Sequence, residues 1–263
     1  MIERVRLTRY ISPFREGGSL PGLMEADDEG TYVVKFRGAG QGPKVLVAEV
    51  LCAGIARLLG LAVPRLVEAE LDAAFGRLEG DQEVQELLRA STGPNLGVDF
   101  LPGAFDYSVR AFPVDAEFAS RVLWFDALIN NVDRSWHNPN LLWWHREPVL
   151  IDHGAALTFH HNWAGASAYP ARPYAASEHV LLGFASEVDA ADAALAPLLD
   201  EDALRAVTAA VPDAWLVPEP GFGSAAELRE AYVTQLSHRL CARDAWLPPL
   251  REAALSADLA ARP

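Results

Sequence analysis

Lysine is almost absent from this chain. Of 22 basic residues among 263, only Lys35 and Lys44 are lysines, and the rest are arginine. A sequence that places Arg wherever a cation will serve keeps Lys where a compact point charge on a thin stem must enter a narrow slot. Cysteine is nearly absent too. Cys52 and Cys241 lie far apart with no metal-ligand spacing, which excludes a disulfide scaffold. Both read as buried, reduced thiols of a cytoplasmic protein. No apolar run reaches the length of a membrane-spanning helix, and the alternating start from Met1 to Tyr10 has no signal-peptide core. Positive charge is in deficit as well. A net charge of −14 repels phosphate backbones and anionic lipid, so the reading excludes sequence-independent nucleic-acid binding and a membrane partner.

What is present is a chain whose apolar content, 51%, suffices for one large domain or for two lobes around a cleft. Residues 2–11 alternate as a strand, and the Gly-, Pro- and Ser-rich stretch from Ser12 to Gly22 reads as a loop. Thr31–Phe36 is β-branched and aromatic, hence a strand. Lys44–Leu59 has helical apolar spacing with Gly60 as its C-cap. Val63–Leu71 and Leu96–Leu101 read as strands around a short acidic helix, Asp81–Ala90. Pro102-Gly103 then marks a boundary. Beyond it, Asp115 caps a strong helix to Ile129, with Phe118, Val122, Phe125 and Ile129 as its apolar stripe and Asp126 off that stripe. A polar loop follows from Asn130 to Asn140. Leu141–Trp144 and Pro148–Ile151 form a hairpin turning at His145-Arg146-Glu147. Helices dominate the remainder, clearest at Asp200–Val211 and Ser224–Arg243. The ordering predicts an α+β, bilobal fold, with residues 1–102 forming a β-rich lobe and 103–263 a helical one.

The chemistry concentrates in the polar loop and the strand after the hairpin. Asn138 offers an amide oxygen and Asp152 a carboxylate, two hard ligands suited to a shared Mg²⁺. Asp133, five residues before Asn138, is free to take a hydroxyl proton. Upstream, Lys35 lies on a strand and Glu49 on the following helix, and Gly17-Gly18-Ser19 offers backbone N–H groups to phosphate. Alone, each element has an ordinary alternative: a turn, a solvated lysine, an exposed glutamate, a loop bonding its own backbone. Their order is the order found in protein kinases.

The chain resembles the HipA-like kinases of bacteria, in their compact kinase-only branch. The resemblance rests on Gly17-Gly18-Ser19, Tyr32-Val33-Val34-Lys35-Phe36, Leu46-Val47-Ala48-Glu49, Leu59–Pro64, Asn131-Val132-Asp133-Arg134 through Leu141, and Ile151-Asp152-His153-Gly154. The loop is also similar to that of phosphatidylinositol 4-kinases. The likeness implies a protein-kinase-like fold, ATP and Mg²⁺ as cofactors, and transfer of the γ-phosphate to Ser or Thr of an unidentified protein substrate, with an antitoxin-like regulator as a further partner. It implies Asp133 as the catalytic residue and Asn138 and Asp152 as metal ligands. It places Lys35, Glu49, Gly17, Gly18, Ser19, Phe100 and Leu101 around the nucleotide, and makes Ser19, ahead of Ser12, the candidate for autophosphorylation. Asn131-Val132 before Asp133, and His153 after Asp152, depart from the commoner kinase pattern. They keep open a nucleotide-binding pseudokinase, or a kinase of a small molecule or lipid. His145, His160 and His161 lack the partners of a zinc site. Ser167 lacks the second glycine of a nucleophile elbow. Trp124, Trp143 and Trp144 read as packing; Trp136 reads either as a wall of the substrate groove or as an anchor of the loop.

Overall fold

The computed structural model describes residues 2–14, 20–40, 42–78 and 80–257. Five strands close into a barrel: β1 (Glu3–Pro13), β2 (Gly22–Ala26), β3 (Thr31–Lys35), β4 (Leu66–Leu71) and β5 (Gly93–Asp99), in the order β1-β2-β3-β5-β4. The parallel pairing of β1 with β4, Glu3 opposite Val67, completes the closure. Side chains alternate along each strand, so Tyr32 and Val34 of β3 point into a small core with Val5, Leu7, Met24, Val67 and Ala69. The same alternation puts Val33 and Lys35 on the opposite face.

The helices α1 (Pro43–Leu58), α2 (Phe75–Leu78) and α3 (Gln82–Ala90) are interspersed with these strands. Pro43 opens α1, where its missing N–H costs nothing, and Asp81 caps α3 by accepting from the backbone N–H groups of Glu83 and Val84. Although α1 falls in the β-rich stretch, its Leu46, Val47, Leu51 and Ile55 belong to the larger core of the C-terminal part. A Cβ on Gly54 would stand 2.7 Å from Val207, so the glycine allows α1 to press onto the segment carrying that valine. Trp215 reaches back in the same sense, its Nε1 donating to the Pro94 carbonyl at 3.0 Å.

The C-terminal part is built on α4 (Ala116–Ile129), which is buried on nearly every side. Asp115 caps it by accepting from Phe118 N at 2.8 Å, and Asn130 ends it in the left-handed region at φ 52°. A three-stranded sheet of β6 (Phe105–Asp106), β7 (Leu141–Trp144) and β8 (Glu147–Leu150) follows. Its hairpin turns on His145 and Arg146, both at positive φ, as a two-residue hairpin turn of matching twist requires. Helices α5 (Val188–Leu195), α6 (Glu201–Thr208), α7 (Ala225–Cys241) and α8 (Arg243–Ser256) complete the chain. Among the described residues no helix is long and apolar enough to cross a membrane.

The β-rich start and helical remainder agree with the sequence reading, and several details correct it. Strand pairing extends β1 through Ser12 and Pro13 and begins β2 at Gly22, where composition indicated loop. β5 starts at Gly93 and ends at Asp99, so Phe100 and Leu101 follow the strand instead of ending it. Cys52 is buried, but Cys241 is exposed. Asp126, set apart from the apolar stripe, is fully buried.

Candidate functional site

Lys35 stands at the end of β3, on the face turned away from the barrel core. Its Nζ is bonded to Glu49 of α1 and, at 2.7 Å, to Asp152 Oδ1, 117 residues away in the chain. Burial pulls the ammonium down, but the two carboxylates outweigh it and hold Lys35 above its ordinary value. Glu49 is 3% exposed. Burial pushes its carboxyl up, and Lys35 with His153 reverses this, so it stays ionised well below the usual carboxylate range. Its second oxygen accepts the His153 backbone N–H at 3.0 Å, with the His153 Nδ1 at 3.6 Å. The His153 ring is itself buried, edge-on to Phe125. Gly154 makes this approach feasible: a Cβ there would lie 2.6 Å from Val45 of α1. Asp152 is held at φ 53°, a left-handed conformation that Asp tolerates better than most residues.

The loop after α4 hangs from a buried ionic cluster. Asp126 accepts from Arg134 Nε at 2.6 Å and from Asn131 Nδ2 at 3.0 Å, and its Oδ2 lies 3.0 Å from His179 Nε2. Burial alone would raise the Asp126 carboxyl, but Arg134 and His179 bring it down to about 2. Arg134 also donates to the Asn140 carbonyl. Asp133 is thereby set at the half-exposed front of the loop. Its Oδ2 accepts from Asn138 Nδ2 at 2.9 Å and from Asn140 Nδ2 at 3.1 Å, while Oδ1 has no partner among the described residues. The Asn140 carbonyl accepts from Ile151 N at 3.0 Å, so Asp133 and Asp152 are joined through one asparagine.

Lys35, Phe100, Leu101 and Asp152 line one cavity of about 390 Å³, floored by Val33 and Ile151. That volume lies within the range of ligand and cofactor pockets. Asp133 and Asn138 do not line it; they stand on the adjoining loop. Gly17, Gly18 and Ser19 lie outside the described residues. Asn138 Oδ1 and Asp152 Oδ2 carry no hydrogen bond from the described residues, and both are exposed. Two free hard oxygens suit a cation such as Mg²⁺ that keeps waters and phosphate oxygens as its other ligands. Among the described residues no three His, Cys, Asp or Glu side chains gather as a metal cage. His160 is taken up by Tyr232 and His161, and burial, then His161 and Lys44, push it down to about 3. The larger cavity, about 750 Å³ beside Trp163 and Phe222, contains none of these residues.

Sequence reasoning missed Asp126, His179 and the cavity carboxylates Asp99 and Asp106. A signal existed for the first. A lone Asp between Phe125 and Ala127, in a helix apolar on all sides, must be buried and therefore paired.

A family model described as HipA-like kinase matches residues 7–247. No curated protein matches the chain. Among solved structures, the chain is similar to a Helicobacter pylori proinflammatory kinase, CtkA, with a TM-score of 0.59 and 13% identity, over 98% of this chain and 100% of that one. At that identity the likeness is one of fold.

Proposed function

The chain belongs to the HipA-like kinase family, and from that membership we propose that it is an ATP- and Mg²⁺-dependent kinase phosphorylating Ser or Thr of a protein. The observation that carries this reading is Lys35, bonded at once to Glu49 and Asp152 on the wall of a nucleotide-sized cavity. In this reading the barrel region to residue 102 and the helical region from 103 are the two lobes of a kinase-like fold. Phe100 and Leu101 contact the base, and Lys35 holds the phosphates. Asn138 and Asp152 would hold Mg²⁺, which supplies charge neutralisation at the phosphates.

Asp133 faces the acceptor. Its Oδ2 is fixed by two asparagine amides, which orients the carboxylate and leaves Oδ1 for the incoming hydroxyl. The hydroxyl oxygen bonds to the γ-phosphorus, the bond to the β–γ bridging oxygen breaks, the hydroxyl proton passes to Asp133, and ADP leaves. The protein acts in the cytoplasm, with Ser19 as a site of autophosphorylation and an antitoxin-like protein as its regulator.

The test is nucleotide-dependent stabilisation and phosphate transfer. ATP with Mg²⁺ at a hundred times its Kd stabilises the wild type by about 2.7 kcal/mol, a shift of several degrees in Tm. Lys35→Met removes most of that shift, and Asp133→Asn keeps it while losing transfer. Absence of any shift with the wild type at saturating ATP refutes the proposal.

A further inference from the structure

Two apolar side chains of the Asp133 loop face water. Val132, immediately before Asp133, is 62% exposed, and Trp136, three residues after it, is 38% exposed. Single exposed apolar residues are ordinary on a protein surface. These two differ in being held there. Asp133 N bonds Asn131 Oδ1, Ser135 N bonds the Asp133 and Asn138 carbonyls, and Val180 N bonds the Arg134 carbonyl. Asn131 and Arg134 are buried. The loop therefore has no slack with which to fold its apolar side chains inward. The indole is fixed as well, with Trp136 N bonded to the Glu178 carbonyl, Nε1 donating to Glu178 Oε2 at 2.6 Å, and the His137 ring against it. The loop's one arginine is wholly buried against Asp126. Beside Asp133 this face presents the two apolar side chains, the exposed His137 and Asn138, and a second carboxylate, Glu178, whose Oε1 has no partner among the described residues.

We propose that Val132, Trp136 and Glu178 form the acceptor-recognition surface, and that its occupant is a protein segment with a large apolar side chain and a Lys or Arg near the phosphorylated residue. This deepens the proposed function and rests on it. An apolar side chain covers Val132 and the indole, and the cation meets Glu178. A small polar metabolite would use neither. The surface lies one and three residues from the residue that takes the hydroxyl proton, so contacts made there position the acceptor at the phosphate.

The probe is a positional-scanning library of Ser- and Thr-centred peptides, phosphorylated with radiolabelled ATP and Mg²⁺. Selectivity is read within each variant, so a general loss of activity cancels. The wild type is expected to favour, about tenfold over Ala, a large apolar residue at one flanking position and Lys or Arg at another. Trp136→Ala reduces the apolar preference to within about twofold and keeps the basic one, and Trp136→Phe retains both. Glu178→Gln, which still accepts from the indole, loses the basic preference alone. Phosphorylation of peptides without flanking preference, or an unchanged preference in Trp136→Ala and Glu178→Gln, overturns this inference and leaves the kinase reading intact. A wild type that hydrolyses ATP but phosphorylates no peptide overturns the protein-acceptor reading and this inference with it.

Discussion

Replacing Arg134 by methionine isolates what holds the loop of Asp133 in place. Asp126 and Arg134 are both completely removed from solvent, and their bond is 2.6 Å long. The substitution keeps the length and apolar bulk of the side chain but leaves the Asp126 carboxylate with only Asn131 and His179. An uncompensated buried charge costs about 3–5 kcal/mol. In a chain of this size each kcal/mol shifts Tm by about 2–4 °C, so the melt should fall by roughly 10 °C or more. Adding Asp126→Asn removes the stranded charge while keeping an acceptor for Asn131, and should recover about 2 kcal/mol, because residues in direct contact couple non-additively. Acid provides an independent arm. The Asp126 pKa is depressed to about 2 in the folded protein, so its contribution is complete above about pH 5 and is lost as pH falls through 2. The full loss is about 2–3 kcal/mol, of which about 1 kcal/mol is reached at pH 3, and Asp126→Asn should not show it. Thermal and guanidinium unfolding at pH 7 and pH 3, followed by tryptophan fluorescence, measures all of this. Arg134→Met within about 1 kcal/mol of the wild type, or a double variant as damaged as the sum of the singles, would show that the buried pair does not hold the loop.

Three further outcomes follow from other parts of the molecule. Gly154→Ala forces a Cβ against Val45 at 2.6 Å and should cost about 1–3 kcal/mol as an overpacking change; it should also weaken ATP binding, and Val45→Ala should restore part of both in melting and binding titrations. Native alkylation followed by mass spectrometry should label Cys241 quickly and leave Cys52 unmodified until the chain unfolds, since only the former is exposed. Lys44→Met removes the ammonium that joins α1 to the His160 carbonyl at 2.7 Å and to Glu219 at 2.6 Å, and should destabilise by about 1–3 kcal/mol in denaturant titrations.

The parts of the site that sequence made legible are those fixed by local order: a lysine on a strand, a glutamate on the next helix, an aspartate after a hairpin. Lys35, Glu49 and Asp152 do meet. Their chemistry is specific enough that few other types could stand there. Asp126 was less visible because a carboxylate on a helix is usually solvated, and only the burial of all faces of α4 decides otherwise. Its partner His179 comes from a distant segment with no periodicity at all. Helix α8 was hidden by Pro248 and Pro249 in its interior, residues that locally argue for a break. The two-residue β6 is too short to have a pattern and exists only because β7 pairs with it. The extension of β1 through Ser12 and Pro13 likewise depends on its partner strand, a tertiary effect that overrides composition.

The packing of α1 has a consequence for how the chain is made. Its partners Val207 and Trp215 are translated roughly 150 residues after the helix leaves the ribosome, an interval on the order of ten seconds or more at about 5–20 residues per second. During that interval the barrel can close and Leu66, Leu96 and α4 can join the core of α1, yet the part of its apolar face that meets Val207 stays uncovered. The nascent chain therefore carries an incompletely covered helix bearing Glu49 through most of its synthesis, and its ion pair with Lys35 gains its further partners when Asp152 and His153 emerge.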